Sequence, residues 1–132
     1  MRLERVSLLL ADFEQALKRL SSALAAPDNE FVRDSSIQRF EFSFELAWKS
    51  IQALARLEGR DCATPRTALS LAWYAHWLED EDLWLDMLNA RNMTSHTYRE
   101  AIAKQVYSQL SKYLPALQNL SHALHSRFKE LQ

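Results

Sequence analysis

The chain has 132 residues, enough for one domain built around a single substantial core, and residues 1–132 read as one helical domain. Hydrophobic residues make up 48% and charged residues 25%, with one glycine and three prolines, a scarcity of breakers that points to an all-helical protein. A formal net charge of −1 excludes a protein coated in positive charge for nucleic acid, so any RNA contact has to be local. No apolar run approaches the roughly 20 residues that span a bilayer, which argues against a membrane partner. The stretch Val6–Ala11, cut off by Asp12, is too short for a convincing signal peptide, so a soluble cytoplasmic protein is expected. Cys62 stands alone, which rules out an intramolecular disulfide and suggests no cysteine metal site; in a loop without a nearby histidine it reads as incidental.

In chain order, the first helix is expected from about Leu3 to Ala25. Leu3, Val6, Leu10, Phe13, Leu17, Leu20 and Leu24 alternate spacings of three and four, which puts them on one stripe. Ala26-Pro27-Asp28-Asn29 forms a turn, with Asn29 placed to cap the next helix. That second helix spans about Glu30 to Glu58 on the stripe Ile37, Phe40, Phe44, Ala47, Ile51 and Leu54, widened by Trp48. Phe42, Leu46 and Ala53 add apolar groups on a further face, which predicts either a bundle centre or a subunit interface.

Gly59 fits the C′ position of the second helix. Thr64-Pro65 supplies an N-cap and first position for a short third helix through about His76. Glu79-Asp80-Glu81-Asp82 opens a fourth helix with carboxylates at its positive end. The last helix, about Tyr98 to Leu131, carries Val106, Leu110, Tyr113, Leu117, Leu120, Leu124 and Leu131, with Pro115 off the stripe and expected to kink it toward solvent. The sum is an antiparallel up-and-down four-helix bundle with one additional short helix.

Several polar groups have plain readings. Trp73, Tyr74, Trp77 and Trp84 are expected in the core or an interface. His76 reads as structural. His122 and His125 have a spacing that two metal ligands can use, but with no carboxylate on a neighbouring turn other than Glu130 they read as a solvated pair. Arg56, Arg60 and Arg66 surround the loop after the second helix, either as a solvated basic loop or as a contact for an RNA backbone. Glu45 and Lys49 have the favourable acid-first order of a helix-surface pair. Glu41, among Ile37, Phe40, Phe44 and Trp48, either pairs with a cation, for which Arg91 is the candidate, or reaches water from the stripe's edge.

The segment Arg91-Asn92-Met93-Thr94-Ser95-His96-Thr97-Tyr98 concentrates the chemistry. Arg91 follows Trp84, Met87 and Leu88 at helical spacing, and a charged head on that stripe needs a partner or a cleft. An unbroken helix would swing His96 roughly 140° away from Arg91, five steps of about 100° each. Thr97 and Glu100 fit a capping box that starts a new helix at Tyr98, which makes Asn92–Thr97 a short connection and sets His96 beside a helix N-terminus able to receive phosphate. Either the pair simply ends one helix and begins the next, or Arg91 holds phosphate oxygens while His96 moves a proton. The second arrangement suffices to cleave RNA through its own 2′-hydroxyl without a metal.

Arg91-Asn92-Met93-Thr94-Ser95-His96, extended by Thr97-Tyr98, resembles the Arg-x4-His-x-Tyr motif of the HEPN superfamily. The block Gln38-Arg39-Phe40-Glu41-Phe42-Ser43-Phe44-Glu45-Leu46-Ala47-Trp48-Lys49, with Leu88-Asn89-Ala90-Arg91-Asn92, is similar to the nucleotidyltransferase substrate-binding branch of that superfamily. The resemblance implies a bundle of four main helices, usually a homodimer. It further implies a toxin that acts as a metal-independent ribonuclease with no cofactor, neutralised by a minimal nucleotidyltransferase antitoxin. On that resemblance Arg91 binds phosphate, His96 transfers protons, Asn92 orients one of them, and Tyr98 is the residue the partner modifies with AMP; Arg39 and Glu41 lie beside the cleft. The branch also carries a different implication, a non-catalytic subunit that binds substrate or nucleotide for a two-component nucleotidyltransferase. The chain lacks that enzyme's own signature, a Gly-Ser followed by paired aspartates: its single glycine precedes Arg60.

Overall fold

The computed structural model describes residues 2–132, and among them the regular structure is entirely helical. Five α-helices follow in order: α1 Arg2–Ala25, α2 Glu30–Leu57, α3 Pro65–Tyr74, α4 Glu81–Met93 and α5 Glu100–Leu131. A single 3₁₀ turn, Thr94–His96, joins α4 to α5. The all-helical expectation holds, as four main helices and the short α3.

The helix ends follow local chemistry. Asn29 Oδ1 accepts from the Val32 amide at 2.9 Å and caps α2. Thr64 and Thr67 close a capping box ahead of Pro65. Asp80 accepts from the Leu83 amide at 3.1 Å, so α4 begins after Asp80 rather than at Glu79. At the far end of α2, Gly59 takes φ +75°, and the Gly59 and Arg60 amides turn back to the carbonyls of Arg56 and Ala55. α3 stops in the same way two residues short of expectation, but His76 takes the left-handed position with φ 62°.

Packing follows the apolar stripes. Val6, Leu10, Phe13, Leu17 and Leu20 of α1 are buried, as is the whole predicted stripe of α2. α5 contributes Val106, Leu110, Tyr113, Leu117, Leu120 and Leu124, joined by Phe128 and Ala103. α2 is the central element, touching α1, α3, α4 and α5. Its rings bind the layers together, with Phe40 against Phe44 and Tyr113, and Phe44 against Trp84 of α4 at 6.4 Å between centroids. Ser36, Ser43 and Ser50 recur every seventh residue of α2, fully buried, and their hydroxyls find no hydrogen-bond partner among the described residues.

Some expectations need correction. Leu3 is half exposed at the start of its stripe; of the four aromatics expected in the core or an interface, Trp77 and Trp84 are in the core, while Trp73 and Tyr74 are exposed. Cys62 is not an idle loop residue: it is buried, its carbonyl accepts from Gln52 Nε2 at 2.7 Å, and burial pushes its thiol pKa up. Pro115 sits exposed inside α5 without ending it. No described helix is long and apolar enough to cross a membrane.

Candidate functional site

Arg91 lies in the last turn of α4, and its position on the stripe of Trp84 and Met87 points the side chain back at α2. Its partner there is Glu45, not Glu41: Arg91 Nη2 donates to Glu45 Oε1, with both side chains 31% exposed. Glu45 is held from its other side as well, since Trp48 Nε1 donates to Oε2 at 3.0 Å and Lys49 approaches the same oxygen at 4.0 Å. The expected surface pair of Glu45 and Lys49 is therefore part of the site. Glu41, one helical turn earlier, is exposed and borders a small groove with Asp34, Gln38, Thr97 and Tyr98. Arg39 also turns elsewhere, donating to the Arg19 carbonyl of α1 at 2.6 Å.

The connection after Arg91 departs from the expected break. α4 continues through Asn92 and Met93, and the turn Thr94–His96 keeps winding in the same hand. Three hydroxyls in succession face backward: Thr94 donates to the Arg91 carbonyl at 2.6 Å, Ser95 to Asn92 at 3.2 Å, and Thr97 to Thr94 at 3.0 Å. Thr97 is thereby spent on closing the end of the preceding helix and forms no capping box with Glu100. Glu100 pairs with Lys104 at 3.3 Å instead, and α5 starts at Glu100 behind Arg99, which caps it without a side-chain hydrogen bond. Tyr98 lies outside the helix, and the α5 N-terminus stands four residues past His96.

Continued winding sets the relation of the two motif residues. Asn92 Oδ1 accepts from Arg91 Nη1 at 3.3 Å, an exposed contact between sequence neighbours. Among the described residues, no hydrogen bond or ion pair joins Arg91 to His96. The exposed His96 ring instead meets Tyr98 edge-on at 6.3 Å. Tyr98 is 77% exposed, with the Arg99 guanidinium 5.8 Å from its ring. The arrangement is thus a guanidinium already paired with a carboxylate, and next to it an exposed imidazole–phenol pair.

Two polar clusters elsewhere were not foreseen. A cleft of about 760 Å³ has His122 and His125 on one wall and Glu14 and Lys18 of α1 on the other. His125 Nδ1 lies 2.8 Å from the Ser121 carbonyl and Nε2 lies 3.6 Å from Glu14, so the carboxylate missing from the adjacent turn comes from the other end of the chain. Among the described residues, no group of three or more His, Cys, Asp or Glu is placed to hold a metal. The second cluster is Glu58, which accepts from Arg127 at 2.6 Å and lies 3.6 Å from Arg60. The Arg127 hydrogen bond, aided by the charges of Arg127 and Arg60, outweighs burial and holds the Glu58 carboxyl below its usual value. Neither contact leaves a signal in local spacing.

Residues 8–126 match the family described as nucleotidyltransferase substrate binding protein like. A protein of Thermus thermophilus with a known crystal structure is 34% identical, with a TM-score of 0.79 over 85% of this chain and 98% of that one. The Haemophilus influenzae protein HI0074, described as having the fold of a substrate binding domain of a nucleotidyltransferase, is 25% identical, with a TM-score of 0.68 over 93% of this chain and 98% of its own. No curated protein matches the chain. This chain belongs to the nucleotidyltransferase substrate-binding protein-like family.

Proposed function

We propose that the chain is the helical binding subunit of a two-component nucleotidyltransferase, and that the surface from Arg91 to Tyr98 meets the enzyme. The observation that carries this reading is the family match across residues 8–126 in a chain whose single glycine leaves no room for the enzyme's own Gly-Ser signature. Local geometry agrees with a binding role. Within one protomer Arg91 is neutralised by Glu45, and His96 has no contact with it that would let the two act on one phosphate. Tyr98 offers an exposed ring and hydroxyl at the rim of the groove formed with α2, the kind of aromatic that anchors a protein interface. Mixing the chain with a minimal nucleotidyltransferase of the same genome should give a stable complex by calorimetry. Tyr98→Arg should weaken it at least tenfold; absence of a complex overturns the reading.

A second reading rests on the order Arg91, Asn92, His96, Tyr98 itself. In it the chain is a HEPN-type toxin, a metal-independent ribonuclease whose Arg91 and His96 come together in the cleft of a homodimer and act on RNA. The nucleotidyltransferase is then its antitoxin, and AMP added to Tyr98 sets charge and bulk directly against the His96 ring.

A further inference from the structure

The basic residues around the loop after α2 separate in the structure. Arg60 turns to Glu58 and to the Trp77 ring, 5.7 Å from its centroid. Arg56 goes the other way and joins Arg2 and Arg5, from the first turn of α1, around a cleft of about 480 Å³. Val6 and Ala53 contribute an apolar part of its wall, Gly59 leaves its edge open, and Asp61 is its one carboxylate. Asp61 is 93% exposed and approaches the Nε of Arg56 at 3.7 Å, and among the described residues no hydrogen bond engages the paired terminal nitrogens of that guanidinium. Arg2 and Arg5 form no ion pair among the described residues.

Three guanidinium groups line one cleft, two of them from the first turn of α1 on either side of Glu4. In a chain of net charge −1, with acidic residues available for pairing, such a concentration stands out. Guanidinium forks offer two parallel donors each to phosphate oxygens, and the cleft falls within the usual size of small-ligand sites. It is also separate from the Arg91 surface: Arg56 lies eleven residues beyond Glu45 on α2, roughly 16 Å along the helix at 1.5 Å per residue.

We propose that Arg2, Arg5 and Arg56 form a binding site for the phosphate groups of a nucleoside polyphosphate. The site does not depend on a nucleotidyltransferase partner, so it stands or falls apart from the function proposed above. The test is calorimetric titration of the chain alone with ATP and with inorganic triphosphate at physiological salt, repeated for Arg5→Gln, for Arg56→Gln and for the two together. Both probes should bind and compete with each other, each single variant should weaken binding several-fold, and the double variant at least tenfold. Arg66→Gln, which alters an exposed arginine outside the cleft, should leave binding unchanged. Because the altered side chains are exposed, the melting temperatures should match the wild type and show that the fold is intact. Failure of both probes to bind, equal binding by the double variant, or binding of a short RNA with neither small probe would overturn the proposal.

Discussion

Phe44 and Glu45 are neighbours in the sequence and meet opposite fates. Phe44 is fully buried against Phe40 and Trp84, while Glu45 leaves the core one residue later to hold Arg91, Trp48 and Lys49. The first residue is placed by area removed from water, which any well-shaped apolar neighbour can satisfy. The second is placed by geometry, because a carboxylate needs a specific donor at a specific distance. One helix therefore carries both a tolerant half and an exacting one.

Truncating the buried ring should produce the largest effect. Phe44→Ala should cost about 3–5 kcal/mol, measured by denaturant unfolding, since it opens a cavity between α2 and α4. A loss below about 1 kcal/mol would mean that the aromatic centre is not the anchor of the bundle.

The carboxylates separate the two rules more sharply. Glu45→Gln should destabilise by about 1 kcal/mol, because it leaves a partly buried guanidinium with a weaker acceptor. Glu41→Gln, one turn away and exposed, should stay within about 0.5 kcal/mol. A reversed order would restore the pairing of Arg91 with Glu41.

Glu58 gives an effect that depends on pH, present at neutral pH and lost in acid. Its carboxyl is held below the ordinary value of 4.5, so its contribution is complete above that value and disappears as pH falls through the lowered folded-state value. Glu58→Gln should therefore lower the melting temperature at neutral pH, with the gap to wild type closing below about pH 4.5. A gap that stays constant into acid would mean that the charge of Glu58 plays no part.

Those contrasts mirror what could be read from residues alone. The stripes of α1, α2 and α5 were legible because helical spacing maps directly onto burial. Asn29, Gly59, Thr64 and Asp80 were legible because caps act within three or four residues. Of the two readings of Glu41, the one in which it reaches water holds, and Arg91 pairs one turn on with Glu45, since the two carboxylates lie on adjoining turns and the register of α4 against α2 decides between them. Thr97 failed for a related reason: a threonine hydroxyl can cap forward or bond backward, and the carbonyl of Thr94 claimed it. Glu14 beside His125 and Arg127 beside Glu58 join residues far apart in the chain, which no local pattern reveals. The resemblance to the nucleotidyltransferase substrate-binding branch was legible from the blocks around Glu45 and Arg91, and the family match agrees with it.

The proposal at stake is that this chain binds rather than cleaves. Its most direct test is incubation of the purified chain with cellular RNA, in the absence of metal, beside the Arg91→Ala/His96→Ala variant. The account predicts that RNA remains equally intact with both proteins. Fragments produced by the wild type and absent with the variant would contradict it and establish the ribonuclease reading.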